Sequence, residues 1–159
     1  MTFETPDEIQ IDQIDQRSLA ALLRDGRQSV TALAAAVGLS KTPCHLRLKR
    51  LQDSGIIKGF QAVLDLERLG LSHVAFVEVR LSDTREAALR AFNQAVAEVP
   101  EIEQCHMIAG AFDYLLKVRT RDIASYRDVL GRVISTLPYV AQSSTHVAME
   151  AVKESAAHL

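Results

Sequence analysis

Apolar residues recur with helical spacing through the first third of the chain and change to a two-residue alternation near residue 73. Ile14, Ser18 and Leu22, with Ile11, Leu19 and Leu23 beside them, trace adjacent rows three and four residues apart, the spacing of one helix face. Asp12 and Asp15 stand at its start. Two acids three positions apart can each accept the other's backbone N–H, an acidic variant of the capping box, and both favour the positive end of the helix. Gly26 closes this helix. Ser29 is placed to cap a second one, with Leu33, Ala34 and Val37 inward and Gly38 at its end, where a left-handed residue carries no Cβ penalty. Ser40 is placed to cap a third. Pro43 falls in its first turn, where the missing N–H has no partner to lose. Cys44, Leu48 and Leu51 form the inward stripe, and Gln52-Asp53-Ser54-Gly55 ends the helix. Three short helices, the last two joined by a tight turn, predict a helix-turn-helix unit whose third helix is the recognition helix.

Ile56, Ile57, Phe60, Val63 and Leu64 follow and predict a short β ribbon or wing; Asp65–Leu71 reads as a turn and hinge. From His73 the segment HVAFVEVRL alternates, with His73, Ala75, Val77, Val79 and Leu81 on one face and Val74, Phe76, Glu78 and Arg80 on the other. Asp83 or Thr84 is placed to cap a helix running to Val99, with Ala88, Leu89, Phe92, Val96 and Val99 inward and Pro100 as the stop. Residues 101–110 and 111–120 predict two strands joined at Gly110–Asp113 as a hairpin. Asp122 is placed to cap a helix with Ile123, Tyr126, Val129, Leu130, Val133 and Ile134 inward, and a last strand follows Pro138. The order β-α-β-β-α-β predicts a ferredoxin-like domain, one antiparallel sheet with both helices on one face. The fold class is therefore α+β. The divisions are 11–58 for the helical domain, 59–72 for strand and hinge, and 73–152 for the sheet domain. Residues 1–10 are polar and acidic and read as a frayed start. The second sheet face needs cover and the edge strands invite pairing, so at least a homodimer is expected.

Charge sharpens the helical half. Residues 27–58 carry six basic groups against Asp53 alone, whereas residues 59–159 carry ten basic and thirteen acidic groups and the whole chain is −2. Positive charge concentrated on a helix-turn-helix is what phosphate neutralisation requires. The candidate DNA-binding residues are Ser40, Lys41, Thr42, His45, Arg47, Lys49 and Arg50. Lys and Arg anchor phosphates, Arg can read guanine in the major groove, and Ser40 can offer a hydroxyl and a helix N-terminus to phosphate. The competing reading for each is a solvated surface group, and for Ser40 a cap.

The segments quoted so far resemble the Lrp/AsnC, or feast/famine, family of transcription regulators over Ile11–Val152. The opening IDQIDQRSLAALLRDGR is similar to the family's first helix, and VTALAAAVGLSKTPCHLRLKRLQDSGIIKGFQAVLD to its helix-turn-helix and following strand. IAGAFDYLLKV is similar to its Gly-x-aromatic-Asp-Tyr hairpin, here Gly110-Ala111-Phe112-Asp113-Tyr114, and LPYVAQSSTHVAM to its last strand. Thr42-Pro43-Cys44 resembles the subgroup that regulates proline catabolism. Leu46 departs from the family pattern, which has a basic or polar residue there more often, and Ser143 stands where Thr is frequent. The resemblance implies a winged helix-turn-helix joined to an ACT-like sheet domain. It further implies a pseudo-palindromic double-stranded DNA operator read in the major groove, and dimers that assemble into tetramers or octamers. An amino-acid effector, proline by the subgroup resemblance, is implied between dimers near the Gly110–Asp113 loop and the last strand. The candidate effector residues are Gly110, Ala111, Asp113, Ser143 and Thr145. Asp113 can pair with an ammonium or satisfy turn amides; Gly110 can offer an N–H to a carboxylate or supply turn freedom; Ser143 and Thr145 can supply hydroxyls or be mere surface.

Two other classes are weighed. A metal or redox sensor would use Cys105 with His73, His106 or His146, but no metal-ligand spacing appears, neighbours 105 and 106 point to opposite faces of a strand, and Cys44 lies on a buried stripe. An enzyme would need a phosphate loop, a nucleophile elbow or a paired-carboxylate cleft, and the chain has none of these motifs. No catalytic residue, metal or cofactor is therefore expected. Apolar content is 48%, no apolar run approaches a membrane span, and no secretory signal opens the chain, so a cytoplasmic protein is expected.

Overall fold

The computed structural model describes residues 10–154, and the expected frayed start lies almost wholly outside them. The chain divides into two compact units, one holding residues up to Val63 together with the segment from Lys153, the other Leu64–Val152.

In the first unit α1 spans Gln13–Arg24, α2 Val30–Val37 and α3 Lys41–Asp53. The Asp12/Asp15 capping box forms in both directions: the Asp15 N–H donates to Asp12 Oδ1 at 2.8 Å and the Asp12 N–H to Asp15 Oδ2 at 3.2 Å. Ser29 Oγ accepts the Ala32 N–H at 3.1 Å, and Gly38 ends α2 with φ 75°. Ala21, Leu33, Ala34, Val37 and Cys44 form the core, with Ile14, Leu22 and Leu48 packed against them. Two expectations change. Ser40 occupies the N-cap position of α3 by its backbone, but its hydroxyl makes no capping hydrogen bond. Leu23 is exposed, because at about 100° per residue it lies well round the helix from Ser18.

The β ribbon expected from Ile56 to Leu64 does not form among the described residues. Phe60, Val63 and Leu64 are exposed, and the Ile57 N–H folds back to the Leu51 carbonyl at 3.0 Å. A strand needs a neighbour to satisfy its backbone, and all four strands of the sheet come from the second unit. The Asp65–Leu71 turn does form, with Gly70 at φ 75° and the Leu71 N–H donating to the Leu66 carbonyl at 2.8 Å.

In the second unit β1 spans His73–Leu81, α4 Glu86–Ala97, β2 Ile102–Met107, β3 Tyr114–Thr120, α5 Ile123–Arg132 and β4 Val140–Val147, with a short 3-10 turn at Ile134–Thr136. The sheet order is β2-β3-β1-β4, antiparallel throughout, which is the ferredoxin-like arrangement. Ala75, Val77, Val79, Leu81, Tyr114, Leu116 and Val118 form one sheet face and join Phe92, Val96, Tyr126 and Ile134 in a single core, so both helices cover that face. The Phe92 and Tyr114 rings lie 4.5 Å apart between centroids. The other face carries Phe76, Glu78, Arg80, Ser144 and His146, and neither α4 nor α5 packs on it. Asp122 caps α5 by accepting the Ser125 N–H at 2.7 Å. Neither Asp83 nor Thr84 caps α4: Arg85 holds the N-cap position, and Asp83 instead accepts the backbone N–H and guanidinium of Arg85. Ile123, expected inward, is exposed, since the first turn of α5 precedes its contact with the sheet.

Phe92 is fully buried at the centre of this core. Phe92→Ala removes a ring from a close-packed site and is expected to cost the second unit about 3–5 kcal/mol, measured by urea unfolding followed by tyrosine fluorescence.

Candidate nucleic-acid interface and effector cavity

α3 presents two kinds of basic residue. At about 100° per residue, Lys41, Thr42, His45, Lys49 and Gln52 fall within about 100° of one another, and all five are exposed. Cys44, Leu48 and Leu51 lie to one side of them, in the core or against it. Leu46 adds an apolar patch to the exposed side at 61% exposure. Arg47 and Arg50 lie on the far side of the helix and turn toward the start of α1. Arg47 Nη1 donates to Asp12 Oδ2 at 2.6 Å and to Asp15 Oδ1 at 3.0 Å, and Arg50 Nη2 donates to Asp15 Oδ2.

Asp15 has no solvent exposure, whereas Asp12 keeps about half of its side chain in water. Two carboxylates and two guanidinium groups make a cluster of zero net charge. It removes the penalty that Asp15 would carry alone in the interior. The Asp15 N–H, and after it the Arg47 guanidinium, hold the Asp12 carboxyl below its ordinary 3.8. A carboxylate shifted down contributes stability above its ordinary range and loses it only as the pH falls through the lowered value. Asp12 thus stays charged throughout the neutral and mildly acidic range.

In the second unit a cavity of about 360 Å³ is lined by Glu78 and Arg80 of β1, Ala111 and Phe112 of the β2–β3 loop, and Gln142, Ser143 and Ser144 of β4. Glu78 stands opposite Ser144 and Arg80 opposite Gln142, and the register slips between Arg80 and Leu81. On the other edge of β1 the pairing with β3 ends at Val79–Tyr114, and Asp113 continues it: its Oδ2 accepts the Leu81 N–H at 2.8 Å. Its own N–H donates to the Val79 carbonyl at 2.9 Å, and its carbonyl accepts the Ile108 N–H at 2.8 Å. The first two bonds fasten the loop carrying Ala111 and Phe112 to the end of β1, and the third closes the loop on itself. Glu78 Oε1 lies 3.3 Å from His146 Nε2, an ion pair only when His146 is protonated. Arg80 has no ion-pair partner among the described residues. A carboxylate and a guanidinium two residues apart on one strand face can receive an ammonium and a carboxylate together.

Residues 11–58 match the winged helix-turn-helix DNA-binding family, and residues 74–157 match the Lrp/AsnC ligand binding domain. A proline dehydrogenase transcriptional activator of Rhizobium radiobacter is 61% identical over 144 residues, 91% of this chain and 92% of that one. The chain belongs to the Lrp/AsnC family. It is also 43% identical over 145 residues to the leucine-responsive regulatory protein of Escherichia coli K12, covering 91% of this chain and 88% of the other. A transcriptional regulator of Neisseria meningitidis, crystallised with L-Met, superposes with a TM-score of 0.86 at 27% identity, over 92% of this chain and 94% of that one. The protein is thus a DNA-binding transcription regulator. Both matched families are regulatory rather than catalytic, and the enzyme reading gives way to them.

Within this Lrp/AsnC chain the expected site residues separate. Lys41, Thr42, His45 and Lys49 face outward, while Arg47 and Arg50 are engaged by Asp12 and Asp15. Ala111 and Ser143 line the cavity beside Glu78 and Arg80; Gly110, Asp113 and Thr145 do not. Gly110 does not adopt a left-handed φ, and a Cβ there would meet nothing closer than 3.6 Å, so the turn does not demand glycine. Asp113 fastens backbone, as described. Thr145 stands opposite Val77 on the helix-covered face, where its hydroxyl meets the Tyr126 hydroxyl at 2.5 Å. Glu78 and Arg80 were not among the expected residues; the available signal was two charges at i and i+2 within an otherwise apolar strand. Cys105 packs against the sheet core, and burial pushes its thiol up from the ordinary 9.0. Among the described residues no group of three or more His, Cys, Asp or Glu could hold a metal ion, and no helix is long and apolar enough to cross a membrane.

Replacing Arg47 and Arg50 together by alanine leaves the Asp15 carboxylate buried without a cation. We expect this double variant to lose about 3–5 kcal/mol of stability in the first unit. Lys41→Ala with Lys49→Ala is expected to unfold like the parent, both followed by helical circular dichroism in urea.

Proposed function

We propose that the outward side of α3 enters the major groove of a pseudo-palindromic operator and that the Glu78–Arg80 cavity binds an amino-acid effector. The observation that carries the DNA half is the segregation of α3: Lys41, Thr42, His45 and Lys49 on the exposed side, the core residues to one side of them. Lys41 and Lys49 anchor phosphates, and Thr42 and His45 offer hydrogen bonds to base edges. The unengaged Ser40 hydroxyl sits at the N-terminus of α3, where free backbone N–H groups favour a phosphate. Two copies of the chain carry two such helices, which is why the operator is two-fold. The uncovered sheet face and the edge strands β2 and β4 support association as a homodimer and its assembly into tetramers or octamers.

In the effector half, Arg80 takes the carboxylate of the amino acid and Glu78 its ammonium, with Ser144 and Gln142 supplying further polar partners. Asp113 acts by holding the loop. The likeness to the proline dehydrogenase activator supports proline as the effector and a proline-catabolic gene as the target. Effector binding changes DNA control to the extent that it favours one assembly state over another.

Two outcomes test this reading. Lys41→Ala with Lys49→Ala is expected to weaken binding to promoter DNA at least tenfold and to flatten its salt dependence, measured by fluorescence anisotropy; unchanged affinity at physiological salt removes α3 from the interface. In a thermal-shift series, proline at about 100 times its dissociation constant adds roughly 2.7 kcal/mol of apparent stability. Arg80→Ala is expected to abolish that shift, whereas Asp113→Asn, which keeps an acceptor for the Leu81 N–H, retains it. Loss in Asp113→Asn with survival in Arg80→Ala would place the ammonium partner at Asp113 instead.

A further inference from the structure

The ion-pair cluster at the base of the recognition helix does more than stabilise the first unit. Arg47 and Arg50 are two of the four cations on α3. Both are paired from α1 with Asp15, which is fully buried and needs a cation for its own sake. Asp12 is different. It is half exposed, it caps α1 through Oδ1, and it contacts Arg47 through Oδ2 at 2.6 Å. The cap needs only an acceptor oxygen, which Asn or Ser provides as well as Asp. Asp15 can be neutralised by Arg50 alone. The negative charge of Asp12 is therefore required neither by the cap nor by the buried carboxylate, and its effect falls on Arg47.

We propose that Asp12 is a positioning residue that restrains DNA binding: its charge holds Arg47 against α1 and keeps that guanidinium from a DNA phosphate. The proposal rests on the reading that α3 is the DNA-contacting helix. A neutral residue at position 12 leaves the cluster with one uncompensated positive charge. Arg47 still bonds Asp15 through one Nη1–H, and its remaining N–H groups become available to a phosphate beside α3. The regulator as it stands thus draws its phosphate contacts from α3 on Lys41 and Lys49, and its affinity depends less steeply on salt than the count of basic residues on the helix suggests. A restrained affinity suits a protein whose occupancy of DNA must answer to a ligand.

The test uses the full chain and a fluorescein-labelled mixed-sequence duplex, for which phosphate contacts dominate, with the dissociation constant measured across about 50 to 200 mM KCl. Each added phosphate contact steepens the slope of log affinity against log salt by about 0.9, so Asp12→Asn and Asp12→Ser are each expected to steepen it by that amount per protomer in contact. Over this salt range that is roughly a threefold extra gain at the low end per contact. Both variants keep the parent melting temperature within a few degrees, and Asp12→Glu, which keeps the charge, keeps the parent slope. A merely structural role for Asp12 would lower the melting temperature without steepening the slope. An unchanged or flatter slope in both neutral variants overturns the proposal, as does an equally steep slope in Asp12→Glu. Lys41→Ala with Lys49→Ala separates the two readings: if that variant keeps the parent slope, α3 is not the phosphate-contacting helix and the underlying reading fails.

Discussion

Everything in the first unit turns on a carboxylate taken wholly out of water. An isolated buried Asp15 would be untenable, because the cost of desolvating a charge is several kcal/mol even after the surroundings relax. Its two oxygens accept from the Asp12 N–H, from Arg47 and from Arg50. Since Arg47 and Arg50 are neighbours on α3, satisfying Asp15 also fixes the rotation of α3 about its own axis relative to α1. That rotation decides which residues remain on the outside. Lys41, Thr42, His45 and Lys49 face solvent because the other side of the helix is committed twice, once to the apolar core at Cys44, Leu48 and Leu51 and once to the acids of α1. The DNA-facing surface is in this sense a by-product of solving a burial problem elsewhere on the same helix.

The second unit solves a different problem. A single antiparallel sheet with both helices on one side buries Ala75, Val77 and Val79 fully and leaves Phe76, Glu78 and Arg80 on the other face. The β1–β4 ladder slips between Arg80 and Leu81, and on the β3 side Asp113 accepts the Leu81 N–H beyond the last β1–β3 pair. The cavity lies beside Arg80, and the Asp113 bonds hold the loop that carries Ala111 and Phe112 at its rim. A residue that sequence logic assigns to the ligand thus serves the backbone, and the charges suited to a ligand sit on the strand beneath.

Much of this was legible in the residues. The shift from helical to alternating periodicity at His73 marks the start of the sheet domain, and the caps at Asp12, Ser29 and Asp122 form as their chemistry dictates. What the pattern could not carry falls into two kinds. Where a segment's structure depends on a neighbour, the sequence overreached: the apolar residues from Ile56 to Leu64 have strand character, but they form no strand among the described residues. Where one residue type serves two purposes, spacing could not choose between them. Arg47 and Arg50 look like phosphate anchors until the acids of α1 are seen to hold them. Thr145 looks like an exposed hydroxyl until the register places it opposite Val77. The Ser40 hydroxyl shows the reverse case, a cap by position whose oxygen is not engaged in capping.

The placement of the cavity bears on how a small ligand can reach a DNA-binding function at all. Glu78 and Arg80 share the uncovered sheet face with Phe76 and His146, so any second copy that covers this face must pack beside, or over, the groups proposed to receive the ligand. Arg80, a cation with no ion-pair partner among the described residues, is unfavourable to bury and becomes easier to cover once a carboxylate neutralises it. Occupancy of the cavity and burial of the face are then linked, and the linkage is reciprocal: whatever factor the ligand contributes to association, association contributes to ligand affinity. A coupling of about 1.4 kcal/mol, well within what neutralising one buried charge supplies, already changes the assembly equilibrium tenfold. The regulatory response therefore needs no deformation of the ferredoxin-like core. It needs only that the charge of Arg80 be met by ligand in one assembly state and left unmet in the other.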